Sequence, residues 1–189
     1  HTYTFGRRGQ ASNLLWDEAE LARRGITVHW VDRGGDVTYH GPGQLVGYPL
    51  LPLGTPLPAE EAASPRLPQA DYIGYLRRLE ESLIQALAVL GVAAQRQEGL
   101  TGVWVAPPLA KIAAIGVKVD ARGISRHGFA LNVNPDMDYW QGIIACGLAG
   151  YAVTSLAEGL GAAPPMAQVR RAVIHAFGQA FGYKIVPKR

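Results

Sequence analysis

Lys111-Ile112-Ala113-Ala114-Ile115-Gly116-Val117-Lys118-Val119, then Asp120-Ala121-Arg122-Gly123, then Ile124-Ser125-Arg126-His127-Gly128-Phe129-Ala130-Leu131-Asn132 is the stretch from which the fold can be read. Two runs of strand-forming residues flank a four-residue segment with the Asp and Gly chemistry of a tight turn. This predicts a hairpin of strands 111–119 and 125–134. Further strand signals lie at 27–32, 44–51 and 101–106. Between them the hydrophobic period changes. Tyr72, Leu76, Leu79, Leu83, Leu87 and Leu90 recur at steps of three and four, with Arg77, Arg78, Glu80 and Glu81 interleaved, Asp71 placed to cap the start and Gly91 to stop the end. Met166, Val169, Val173, Phe177 and Phe181 mark a second helix whose first turn suits Pro164 and Pro165. A short helix over 13–24 ends at Gly25. Neighbouring strands in pairs, with helices between groups, predict an α/β (α+β) domain with a mixed or mostly antiparallel sheet. A strict βαβαβ alternation is absent.

The 189 residues make about one domain of ~100–200 residues, large enough to bury a core unaided. The 17% charged and 48% apolar composition excludes a disordered chain, an acidic tail and a coiled coil. A net charge of +3 does not announce nucleic-acid binding, although a pI near 9.1 admits an acidic partner. No apolar run approaches the ~18 residues of a membrane span, and residues 1–6 have no signal-peptide pattern. The expectation is a soluble intracellular protein whose first residue, His1, lies within a longer translated chain. Residues 52–68, with prolines at 52, 56, 58, 65 and 68, read as a long surface loop within one domain.

Arg33-Gly34-Gly35-Asp36-Val37-Thr38-Tyr39-His40-Gly41-Pro42-Gly43-Gln44 is the densest chemistry in the chain. Its glycines let backbone N–H groups approach a ligand, and its polar side chains can orient one. The dinucleotide pattern G-x-G-x-x-G fails here, because Val46 stands where the third glycine belongs. A tight turn between strands is the plainer reading of such a cluster. Cys146 is the sole cysteine, so neither an internal disulfide nor a multi-thiolate zinc site can form. Its apolar neighbours fit an inert buried thiol. A nucleophilic thiol needs a cation or base beside it. His40, His127, Lys111 and Lys118 are candidates for that role. Lys111 opens an otherwise apolar strand, where it is either a desolvated base or a strand-end lysine that reaches water.

Several of these blocks, in this order, resemble the octanoyltransferases of lipoate biosynthesis. They are Arg33-Gly34-Gly35 with Thr38-Tyr39-His40 and Gln44, Lys111 to Gly116, His127 to Asn132, Ala145-Cys146-Gly147-Leu148, and Val153-Thr154-Ser155-Leu156, and Tyr3-Thr4-Phe5-Gly6 also fits. The resemblance covers nearly the whole chain, as a single catalytic domain over 1–189. The family's usual N-terminal strand and helix are not seen before it, and the 52–68 loop is longer than the family's.

The resemblance implies the biotin- and lipoate-protein ligase fold. It also implies transfer of an octanoyl group from octanoyl-acyl carrier protein, through a Cys146 thioester, to a lysine of a lipoyl domain. Acceptors would be the acyltransferase subunits of 2-oxoacid dehydrogenases and the glycine cleavage H protein. Lys111 would be the partner of Cys146 and the base of the second step. Arg33 through His40 (including Asp36, Val37 and Tyr39) would line the substrate site, and Ala114, Ile115, Gly116, Gly128, Phe129 and Ala130 the acyl tunnel. Small residues such as Gly128 and Ala130 would either make room for the acyl chain or allow close strand packing. Burial of that chain gains ~0.8 kcal/mol per CH₂. The oxyanion donor would be a backbone N–H near Gly116, the His40 side chain or another group. No cofactor, metal, nucleic acid or membrane is expected, and the protein is expected to be cytoplasmic and monomeric. An ATP-dependent ligase on the same fold is the rival reading, since it would need an adenylate site and no essential cysteine. A catalytically silent domain that binds carrier or lipoyl proteins is a second rival.

Overall fold

The computed structural model describes residues 1–53, 71–147 and 150–186. In chain order the strands are β1 (Thr2–Phe5), β2 (Thr27–Trp30), β3 (Val37–His40), β4 (Gln44–Gly47), β5 (Gln95–Gln97), β6 (Leu100–Val105), β7 (Ala110–Val119), β8 (Ser125–Asn132) and β9 (Ala152–Val153). The α-helices are α1 (Glu18–Arg23), α2 (Tyr72–Val89), α3 (Leu156–Leu160) and α4 (Met166–Phe181). The expected hairpin is present: β7 and β8 pair antiparallel from Ala113↔Leu131 to Val119↔Ser125. The turn works as its chemistry predicts, with Asp120 Oδ1 accepting from the backbone N–H groups of Arg122 and Ile124.

Two sheets form around this hairpin. The larger runs β4-β8-β7-β6-β5, with β9 added parallel to β7. The smaller runs β2-β1-β3, with β1 parallel to β2 and antiparallel to β3. The sheets are therefore mixed, as expected. Helix α2 carries the Asp71 cap, which accepts from the Gly74 N–H. Its Leu79, Leu83 and Leu87 are fully buried in one core with Val169 and Val173 of α4 and Val103, Ile112 and Leu131 of the large sheet. A second core, built on Tyr3, Phe5, Val37, Tyr39 and Ile143, belongs to the small sheet.

Several elements escaped the sequence reading. The 13–24 helix is a 3-10 turn at Ala11–Asn13 followed by α1, which Asp17 caps. Strands β1, β3, β5 and β9 are two to four residues long, too short to show a period. Helix α3 is announced only by its capping box, Ser155 with Glu158. Most of the proline-rich loop lies outside the described residues. Its first two positions are held, with Pro52 bridged to Ile124 and the Leu53 N–H donating to Gly123 O.

The small residues of β8 have a packing role. A Cβ at Gly128 would stand 2.0 Å from Gly47 O and 2.8 Å from Pro49 Cδ. The absence of a side chain there lets the β4 segment approach, so at this position the close-packing reading applies. Gly128→Ala is expected to cost about 1–3 kcal/mol, a fall in melting temperature of roughly 2–12 °C. Thermal unfolding measures it, and an unchanged melting temperature would instead leave that volume to a ligand.

Candidate active site

Cys146 and Lys111 are 35 residues apart in sequence, and three sets of contacts bring them together. The first is the pairing of β9 with β7 at Lys111↔Val153, reinforced by the Thr154 N–H donating to Lys111 O at 2.9 Å. The second ties the segment before the cysteine to the N-terminal region. Ile143 bridges Leu14, the Ile144 N–H donates to Asn13 O, and the Leu15 N–H donates to Gly142 O. The third is Asp36. Its carboxylate accepts from the Gln10 and Val37 N–H groups and from Asn13 Nδ2, and it sits where a Gly147 side chain would be. Between these anchors Cys146 adopts the left-handed backbone conformation (φ 56°), uncommon for a residue other than glycine. Such conformations cost ~1–3 kcal/mol and persist where surrounding contacts enforce them.

The result is a Lys111 Nζ to Cys146 Sγ distance of 3.3 Å. Lys111 is only 6% exposed, yet among the described residues no carboxylate pairs with it. Buried charges ordinarily have a partner, and the sulfur is the one within hydrogen-bonding reach. Two of the other candidate cations, Lys118 and His127, are engaged by Asp32. Lys118 Nζ and His127 Nε2 both bond Asp32, at 2.5 and 2.6 Å. Those two contacts hold the Asp32 carboxyl far below the usual carboxylate range, Lys118 contributing most.

Cys146 stands where two cavities meet. The inner cleft is narrow, a cavity of about 50 Å³. Its walls contain Arg33, Gly34, Gly35, Asp36, Thr38, His40, residues 114–116, residues 128–130 and Cys146. The outer cavity, about 470 Å³, shares Gly34, Gly35, Asp36, Ile115, Gly116 and Cys146 and adds Lys111 and Arg8. Two expected lining residues are misplaced: Val37 and Tyr39 are fully buried in the small-sheet core. The reason is strand alternation, because β3 points Thr38 and His40 to the cleft and Val37 and Tyr39 away from it. Burial pushes the Tyr39 phenol up to about 12. Tyr48, which carries no sequence signal, and His127, expected only as a candidate partner of the thiol, also line the inner cleft. Leu148 lies outside the described residues.

The polar groups of the cleft differ in what they can offer a ligand. Arg33 spends its donors on Thr4 O, Thr4 Oγ1 and Gly34 O, so it fastens the glycine-rich turn to β1 and has little left for a ligand. Gln44 is fixed by its Nε2 bonds to Tyr39 O and Asn132 Oδ1, which turn its Oε1 toward His40 Nδ1 at 3.3 Å. His40 Nδ1 therefore donates, and Nε2 is left as an acceptor. Burial lowers the His40 pKa from its ordinary value; the Gln44 bond opposes this and nearby Arg33 adds to it. A neutral imidazole held this way has no Nε2 proton to give an oxyanion. The hydroxyl of Thr38, by contrast, is buried in the cleft wall without a hydrogen-bond partner among the described residues. Among the described residues no cluster of His, Cys, Asp and Glu could hold a metal ion, and no helix is long and apolar enough to cross a membrane.

Known proteins resemble this chain in sequence and in fold. An octanoyltransferase of Chloroflexus aggregans is 47% identical over 168 residues, 89% of this chain and 71% of that protein. One from Koribacter versatilis is 42% identical over 184 residues, covering 97% and 69%. Among solved structures, the bi-partite lipoate protein ligase of Thermoplasma acidophilum superposes with a TM-score of 0.72 at 17% identity, over 99% of this chain and 70% of that one. The biotin protein ligase of Aquifex aeolicus superposes with a TM-score of 0.52 at 14% identity, over 95% and 68%. These structures share the fold expected from the sequence. The family model described as the lipoyl protein ligase A/B catalytic domain matches residues 1–178, and the chain belongs to that family.

Proposed function

We propose that this chain, acting as one catalytic domain, is an octanoyltransferase that carries the acyl group on Cys146. The observation that carries the reading is the buried lysine ammonium 3.3 Å from the only thiol, at the junction of two cavities. The thiolate is the reactive form of cysteine, and an adjacent cation favours it. In the first step Sγ attacks the thioester carbonyl of octanoyl-acyl carrier protein. The new C–S bond forms, the bond to the carrier sulfur breaks, and Lys111 gives its proton to the departing thiolate. The octanoyl chain occupies the inner cleft, and the Thr38 hydroxyl is available to its carbonyl. In the second step a lipoyl-domain lysine enters through the outer cavity as a neutral amine. Its nitrogen attacks the Cys146 thioester, the C–S bond breaks, and the proton it sheds passes to the now neutral Lys111. The thiolate–ammonium pair is thereby restored.

The donor is already activated as a thioester, so the reaction needs no ATP. Lipoyl domains as acceptors fit the family, and the 2-oxoacid dehydrogenase acyltransferase subunits and glycine cleavage H protein are the proposed examples. The protein is expected to work in the cytoplasm as a monomer. Intact-protein mass spectrometry after incubation with octanoyl-acyl carrier protein tests the reading. The expected result is a gain of one octanoyl group without ATP, released by hydroxylamine and discharged by a lipoyl domain. An unmodified mass, with transfer appearing only when ATP and free octanoate are supplied, would identify a ligase instead.

A further inference from the structure

The proposed mechanism requires Lys111 to stay against Cys146, and a lysine on four rotatable bonds does not stay anywhere unaided. Lys111 also borders the outer cavity, which offers its ammonium an alternative, better hydrated position. What opposes that escape is on β6. The register places Trp104 directly opposite Lys111, with a bulge between Val103 and Trp104 setting the alignment. The Trp104 ring centre is 4.7 Å from Lys111 Nζ, on the cation-binding face of the indole. Tyr151 packs edge-on against the same indole at 5.3 Å. The alkyl part of the lysine passes over Gly102, where a Cβ would come within 3.4 Å of Lys111 Cε.

Trp104 is fully buried, yet among the described residues its indole N–H has no hydrogen-bond partner. An orphaned donor in a core is a cost that phenylalanine would avoid while filling similar space. Tryptophan offers in exchange the strongest cation-binding face among the aromatic side chains. We propose that Trp104 is a positioning residue for Lys111, seating the ammonium between its ring face and the Cys146 sulfur. It is not among the residues lining either cavity and acts through the lysine. The inference rests on Lys111 serving Cys146 as proposed above.

The test is a double-mutant cycle read by alkylation of Cys146. With one cysteine in the chain, iodoacetamide reports that thiol alone, and no acyl donor is involved. Failure of octanoyl transfer and failure of the ring's role are therefore read separately. Trp104→Leu is expected to slow alkylation at neutral pH by roughly three- to thirty-fold and to displace the pH–rate profile, with Trp104→Phe falling between it and the parent. In a Lys111→Met background, Trp104→Leu is expected to have no further effect. An equal loss with and without the lysine would assign Trp104 to packing, and no loss in the parent would remove its role; either overturns the proposal. If Trp104→Leu does not fold, fluorinated tryptophan is incorporated instead, weakening the ring face with little change of shape. A rate that falls stepwise with fluorination supports the seat, and a constant rate overturns it.

Discussion

Cys146→Ser loses octanoyl transfer by more than roughly 10⁴-fold while the protein keeps its fold and its affinity for an octanoylated carrier. The size of the loss follows from what the residue does. A hydroxyl is not the anionic nucleophile that a thiolate is, and Lys111 is one cation, not the oriented base that an alcohol nucleophile requires. The second step also fails, because an ester formed in error on serine is a poorer acyl donor to an amine than a thioester. The fold survives because the two side chains are nearly isosteric and the left-handed backbone at this position (φ 56°) is imposed by its neighbours, not by sulfur. Three measurements check the outcome: transfer to a lipoyl domain, intact mass after exposure to the donor, and melting temperature. Transfer retained in Cys146→Ser would mean that the acyl group never resides on this residue.

What the sequence disclosed, and what it hid, divides along physical lines. The 111–132 hairpin and the two long helices were legible because each has enough residues to show a period and proper turn or cap chemistry at its ends. The short strands were not, and one of them matters most. Strand β9 is two residues long, yet its pairing at Lys111↔Val153 helps return the chain after the cysteine to the lysine. No local pattern announces such a strand, since it exists only because β7 is there to receive it. The glycine-rich segment was legible as a site but not residue by residue. Once it is known that Val37–His40 is a strand, alternation alone sends Val37 and Tyr39 to the core and Thr38 and His40 to the cleft. The choice among four candidate cations for the thiol could not be made from sequence. In the structure Asp32, which carried no signal of its own, engages Lys118 and His127, Gln44 engages His40, and Lys111 is the candidate beside the sulfur.

Lys111→Met separates function from stability, and the two are expected to move in different directions. Transfer falls by roughly 10²–10⁴-fold, the range for removing a positioned acid–base group. Alkylation of Cys146 at neutral pH slows as well, because the cation 3.3 Å from the sulfur is gone. Stability responds otherwise. Lys111 is 6% exposed and, among the described residues, has no carboxylate partner, so in the proposed resting state the folded protein holds a desolvated ammonium between the Cys146 thiolate and an indole ring. Taking a charge out of water costs several kcal/mol, and one favourable contact on each side offsets only part of that. Methionine has a similar length, fills the space above Gly102 and beside Trp104, and leaves a neutral thiol with nothing buried and charged. The melting temperature is therefore expected to hold or to rise, by up to a few degrees for each kcal/mol recovered. Thermal unfolding and single-turnover transfer, measured on the same preparation, check both halves. A clear loss of stability with transfer intact would make Lys111 a structural residue. Loss of transfer with stability held is what distinguishes a lysine kept buried for its chemistry from one kept for the fold.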